Sequence, residues 1–100
     1  MIPKDLFITE IHQIKEKIKP YILRTPLISN LNNISNQLNT EVLFKLEFLQ
    51  HGGTFKSRGA LNNLLNLTDE QKKNGVIAVS AGNHAIAVAY ASKITNISSK

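Results

Sequence analysis

The 100 residues contain no cysteine, three prolines and five glycines. Without cysteine there is no disulfide framework and no thiolate metal site. That is compatible with a reducing compartment. With so little glycine and proline, 42% apolar and 19% charged residues, the composition is globular rather than that of a disordered tail. Long hydrophobic runs are also missing. The longest is Ala85-Ile86-Ala87-Val88-Ala89-Tyr90-Ala91, far short of the roughly 20 residues a membrane helix needs. The N-terminus lacks the charged-then-apolar pattern of a leader, and Asp5, Glu10 and Glu16 stand where a transit peptide avoids acids. The reading is one small cytoplasmic domain with no membrane partner.

Charge of one sign is in modest excess, at +5. A nucleic-acid partner is the first class to weigh against such a balance. The basic residues are thinly spread, however. Their one local cluster, Lys15, Lys17 and Lys19, is interrupted by Glu16 and has no interleaved aromatics for base stacking. Nucleic-acid binding is therefore not expected. His12, His51 and His84 have no ligand-like spacing and no cysteine partners, so no metal is expected either. No serine has a visible His/Asp partnership.

Hydrophobic periodicity supplies the elements. Phe7, Ile11, Ile14 and Ile18 share one face of a helix, with Thr9 as its N-cap and Pro20 as its stop. Arg24-Thr25-Pro26-Leu27 reads as extended, because the residue before proline avoids helical geometry. Leu31, Ile34 and Leu38 mark a short helix. Glu41 to Leu46 reads as a buried strand, broken by Gly52-Gly53. A helix follows from about Ser57. Thr68-Asp69-Glu70-Gln71 fits a capping box, and Asn74-Gly75 closes the helix it starts. Val76 to Val79 reads as a strand buried on both faces, and Asn83 to about Lys93 as an alanine-rich helix. Strands alternating with helices predict an α/β fold with an open parallel sheet, although two strands are too few to cover and stabilise one.

Two loops carry chemistry. In Gly52-Gly53-Thr54-Phe55-Lys56-Ser57-Arg58-Gly59-Ala60, Lys56 falls at the start of a helix. A lysine that forms a Schiff base must be a neutral amine, whereas a free one has a pKa of about 10.4. The helix dipole and the nearby Arg58 both disfavour a cation there. The glycines allow backbone to approach a flat cofactor. By spacing alone, a surface lysine after a turn is the commoner outcome. A P-loop is excluded, since that pattern needs glycine immediately before the lysine and Phe55 stands there. The second loop, Ser80-Ala81-Gly82-Asn83-His84, lies at a strand-to-helix turn whose free amides suit a carboxylate. The side chain of Asn83 can donate to a phenolate-like oxygen. An ordinary helix cap is the plain alternative.

Together the loops resemble those of the serine/threonine dehydratase branch of the pyridoxal-phosphate (PLP) enzymes of fold type II. Thr25-Pro26-Leu27, Leu46-Glu47 through Gln50, Gly53 to Lys56, Arg58-Gly59-Ala60 and Ser80 to Ala85 carry the likeness, in order. The resemblance implies that Lys56 binds PLP and later moves the Cα proton, and that Phe55 packs on the ring. It implies that Asn83 binds the 3′ oxygen. The amides of Ser80, Ala81, Gly82, Asn83 and His84 would hold the carboxylate of L-threonine or L-serine. The implied reaction is β-elimination to a 2-oxo acid and ammonia, in a homo-oligomer. Related racemases commonly have a serine at the position of Ala81, and alanine cannot move a proton. Residues 1–67 would belong to the larger domain and 68–100 to the start of the smaller cofactor subdomain. No run of glycines follows Gly82 to hold the phosphate. The expectation is therefore an N-terminal segment of a dehydratase, with an inert, decayed product of such a gene as the alternative.

Overall fold

The structure, a computed structural model, describes residues 4–29 and 31–100. Helix α1 spans Lys4–Ile18, with Asp5 in its first turn and Lys15 and Lys17 in its last, an order that complements the helix dipole. The helix starts ahead of Thr9. The Thr9 hydroxyl donates to the carbonyl of Asp5 at 2.9 Å, so Thr9 is an interior residue bonded back one turn rather than the N-cap expected of it. Pro20 ends the helix as its missing amide requires, inside a 3-10 turn over Lys19–Tyr21. Only the far end of the apolar stripe is used. Ile18 is buried and Ile14 half-buried on the core, whereas Phe7 and Ile11 stay exposed.

Strand β1, Leu27–Ser29, pairs with β2, Leu43–Lys45, in antiparallel register: Leu27 with Lys45, Ile28 with Phe44, Ser29 with Leu43. Helix α2, Ile34–Leu38, lies between them and ends on Asn39 in the left-handed region, which asparagine tolerates better than most residues. In both strands only the middle residue is sheltered. The 41–46 run, expected to be buried, thus covers one face alone.

Helix α3 spans Lys56–Leu65, α4 Asp69–Asn74 and α5 Asn83–Thr95. The capping box is formed: Thr68 Oγ1 accepts from the Gln71 amide at 3.2 Å and Gln71 Oε1 from the Thr68 amide at 2.8 Å. Gly75 closes α4 at φ 77°, where an added Cβ would stand 2.7 Å from the Ser98 carbonyl oxygen. That close approach lets Val76 pair with Ser99 in a parallel bridge. The bridge is extended by Val76 N–H to Ser98 O (2.9 Å) and Ala78 N–H to Lys100 O (2.8 Å). The chain is therefore an α/β fragment in which this bridge is the parallel pairing among the described residues, and the two formed strands are antiparallel. The 76–79 run is not covered on both faces. Ile77 is 83% and Val79 95% exposed, because residues 98–100 pair along its edge and none of the described residues forms a layer over those side chains.

The core is the seam between α3 and α5. Leu61, Ala87 and Ala91 are fully buried there, with Ala60, Leu64, Ile18 and Ile97 around them. Small side chains on α5 let the two helices approach closely, and α1 closes the seam through Ile18. Tyr90 adds a polar tie, its hydroxyl donating to the Tyr21 carbonyl at 2.5 Å. Leu61→Ala is expected to cost about 2–5 kcal/mol, measured by urea unfolding followed by circular dichroism. A loss of under about 1 kcal/mol would mean that the seam is not the core.

Candidate active site

The loop before α3 is fixed by polar contacts to a strap of chain at residues 23–25. Gln50 is buried and its amide pairs both ways with Leu23. Its Nε2 donates to the Leu23 carbonyl at 2.8 Å and its Oε1 accepts from the Leu23 amide at 2.9 Å. The same oxygen accepts from the His51 amide at 3.1 Å. Glu47 accepts from the Thr25 hydroxyl and, through both carboxylate oxygens, from Arg58 Nε (2.8 Å) and Nη2 (2.7 Å). Lys45 Nζ donates to the Thr25 carbonyl at 2.6 Å. The Glu47 and Lys45 contacts are charge-assisted, and the two-pronged Arg–carboxylate pair adds direction to strength.

The Arg58 bonds hold the Glu47 carboxyl at a pKa of about 2, below its ordinary 4.5. Partial burial opposes the shift, while the Thr25 hydroxyl and the charges of Arg58 and Lys45 add to it. The Arg58 guanidinium is held in its charged form by the same pair. This revises the role expected of Arg58. Its charge is answered by Glu47, so it anchors the loop rather than standing as a free cation beside Lys56.

Lys56 is the first residue of α3, its amide bonded to Thr54 Oγ1 at 3.3 Å. Its side chain is exposed, as is that of Phe55 beside it. Ser57 faces inward, fully buried, and donates to the His51 carbonyl at 2.6 Å. The loop then rests on α5. Gly52, at φ 75°, comes so close that an added Cβ would lie 2.9 Å from Ile86 Cγ2. The His51 ring stacks on Tyr90 with centroids 4.9 Å apart. His51 is thus seated on the helix that Asn83 begins.

Ser80, Ala81, Gly82, Asn83 and His84 are all exposed at the start of α5. Ser80 Oγ accepts from the Gly82 amide at 3.3 Å, and the Gly82 carbonyl accepts the first helical bond, from Ile86, at 3.2 Å. The Asn83, His84 and Ala85 amides precede that bond and point out of the positive end of the helix. A cleft of about 360 Å³ joins the two loops, with Phe55, Lys56, Gly59, Asn63 and His84 in its walls. Ser80 to Asn83 form the adjoining turn. The arrangement offers an accessible amine, a flat apolar flank and an anion-seeking helix end. Among the described residues no group of three or more His, Cys, Asp or Glu could hold a metal, and no helix is long and apolar enough to cross a membrane.

Thr25, Glu47 and Gln50 are motif residues to which the sequence assigned no job. Apart from the His51 amide next to Gln50, their partners lie 11 to 27 positions away, beyond any local pattern. Ser57 was passed over as well. The one signal available was its place on the inward face of α3, three before Ala60 and four before Leu61.

Residues 18–100 match the model of a family described as pyridoxal-phosphate dependent enzyme. The chain is similar to the catabolic L-threonine dehydratase TdcB of Staphylococcus aureus, 48% identical over 88 residues, which cover 88% of this chain and 25% of that protein. The chain thus spans about a quarter of the length of the curated relatives it matches. Among solved structures it resembles maize serine racemase, with 41% identity and a TM-score of 0.82 over 92% of this chain and 29% of the other. It also resembles the processed form of threonine deaminase isoform 2 from Solanum lycopersicum, with 31% identity and a TM-score of 0.80 over 98% and 27%.

A carboxyl whose folded pKa is lowered stabilises the fold fully above its unfolded value and stops doing so as pH falls through the folded one. Melting temperature is therefore expected to drop between pH 4.5 and about 2 by more in the native chain than in Glu47→Gln. Equal drops would show that the Arg58 pair is not formed. Gly52→Ala is expected to lower stability by more than Gly53→Ala in urea melts. Both positions carry the left-handed backbone cost of about 1–2 kcal/mol, but at Gly53 the nearest atom to an added Cβ is 3.9 Å away. An equal loss would mean that the loop does not rest on Ile86.

Proposed function

Because the chain belongs to the pyridoxal-phosphate dependent enzymes, in their fold type II serine/threonine dehydratase branch, we propose that it carries the lysine and asparagine loops of a dehydratase acting on L-threonine or L-serine. The observation that carries the reading is the single cleft in which Phe55 and Lys56 of one loop meet His84 of the other. The family's cofactor is PLP, and the residues present fit it. Lys56 offers an exposed amine for its aldehyde, Phe55 a flat flank for its ring, and the start of α5 donors for oxygens. When bound, PLP stores the electron pair left at the substrate Cα.

In this proposal Lys56 holds the cofactor and takes the Cα proton. Phe55 orients the ring, and Asn83 donates its side-chain amide to the 3′ oxygen. The amides of Ser80, Ala81, Gly82, Asn83 and His84 fix the substrate carboxylate; for Gly82 this means giving up its bond to Ser80 Oγ. The Cβ–O bond breaks and the hydroxyl leaves as water, matched by the proton that Lys56 took from Cα; the enamine tautomerises to an imine, which takes up water to give a 2-oxo acid and ammonia. The wider reading is a homo-oligomeric cytoplasmic enzyme without a nucleic-acid partner. It would divide near residue 67 into a larger-domain part and the start of a cofactor subdomain.

A racemase is the second reading, favoured by the likeness to maize serine racemase. Against it stands Ala81, whose methyl group has no proton to deliver to the opposite face of Cα. The test is incubation with PLP, reduction with borohydride and peptide mapping. Label is expected on Lys56 and absent from Lys56→Ala. Label on other lysines instead, or nowhere, would overturn the proposal; the latter is the outcome for an inert gene product. In the full-length product, 2-oxo acid is expected from L-threonine or L-serine, and D-serine without 2-oxo acid would favour the racemase.

A further inference from the structure

A second concavity lies on the other side of Arg58. It has a volume of about 430 Å³ and draws its walls from three separate stretches of chain: residues 15–24, Lys45 at the end of β2 and Arg58 on α3. Five of its lining residues are cations, Lys15, Lys19, Arg24, Lys45 and Arg58, and Glu16 is its one lining carboxylate. Glu16 is spent on Lys19, at 3.3 Å and with both side chains more than half exposed, a pairing of little strength. Glu47 answers Arg58. Among the described residues, Lys15, Arg24 and Lys45 have no carboxylate within ion-pair distance. Lys45 donates to the Thr25 carbonyl, and its charge acts only as the smallest of the influences on Glu47, whose carboxylate is committed to Arg58.

Gathering like charges from distant positions works against the folded state. The cleft therefore has an electrostatic demand that the described residues do not meet. Its size is that of a small-molecule site and is far too small for a nucleic-acid duplex. Lysine supplies compact charge and arginine a planar fork of donors, the pairing that suits oxyanions with several charged oxygens. We propose that this cleft binds a small, multiply charged oxyanion of the diphosphate class. Arg58 stands in the wall of both this cleft and the Lys56 cleft. An anion drawn to its guanidinium competes with Glu47 for the bond that anchors the lysine loop, so occupancy here acts on the placement of Lys56. The binding itself does not depend on the dehydratase reading.

The probe is inorganic pyrophosphate, titrated calorimetrically into the full chain at low ionic strength and again in 150 mM salt, with citrate as a polycarboxylate comparison. Lys15 and Arg24 line this cleft and have no part in the proposed reaction. The double variant Lys15→Gln/Arg24→Gln is expected to bind pyrophosphate at least about tenfold more weakly, the loss of two charge-assisted contacts. Its circular dichroism should be unchanged. Lys73→Gln/Lys93→Gln, which removes the same charge elsewhere, is expected to bind as the native chain does. Tighter binding of pyrophosphate than of citrate supports the diphosphate class, and equal or tighter binding of citrate would overturn it. No measurable heat with pyrophosphate, equal weakening in both double variants, or preference for duplex DNA would each overturn the proposal.

Discussion

The placement of the lysine loop depends on one polar clamp, buried at Thr25 and Gln50 and half-buried at Glu47 and Arg58. Glu47 joins Thr25 to Arg58, and Gln50 pairs both backbone groups of Leu23. The loop from Glu47 to Phe55 holds two short 3-10 turns, Glu47–Leu49 and His51–Gly53, but no strand and no α-helix, so its own backbone bonds are local and do not tie it to the rest of the fold. Side chains take over that task. A buried amide or carboxylate left unpaired would be costly, so each contact constrains its partner as much as it stabilises it. The clamp reaches back to the strap at 23–25, and Lys45 holds the Thr25 carbonyl from the other side. The residue that carries the proposed chemistry contributes nothing to this clamp. Lys56 is left exposed at a helix start that its neighbours have fixed.

The second constraint is apolar. The α3–α5 seam places the first turn of each helix at one end of the molecule, and the two motif loops are those first turns. Ala60, Ala87 and Ala91 permit the close approach. Gly52 and the stacked His51–Tyr90 pair then lock the loop to α5. The separation of Lys56 and Asn83 is thus set by the packing of α3 on α5 together with the loop contacts that seat His51 and Gly52 on α5. That is the kind of rigid support from which exposed reactive groups gain precision.

Much of this was legible in the residues. The first helix followed from the spacing of Phe7, Ile11, Ile14 and Ile18, and the capping box from Thr68 and Gln71. The two loops were legible because their residue types stand at fixed local offsets. What was not legible was non-local. No feature of Leu27–Ser29 announces that it pairs antiparallel with Leu43–Lys45, because short strands declare a face but not a partner. The apolar run Val76 to Val79 suggested burial on both faces, but burial is a property of neighbouring layers. Thr9 was misplaced because a hydroxyl that caps a helix and one that bonds back inside it look alike in sequence. Arg58 lies beside Lys56 in sequence, and only the fold shows its charge turned to Glu47.

The most direct test of the clamp is amide hydrogen exchange, residue by residue, in the native chain and in Gln50→Ala. The account predicts that Leu23 and the amides from His51 to Ser57 lose protection, while the α3–α5 seam at Leu61 and Ala91 keeps it. Unchanged protection at Leu23 and His51, or a uniform loss across the whole chain, would contradict the claim that this clamp seats the lysine loop.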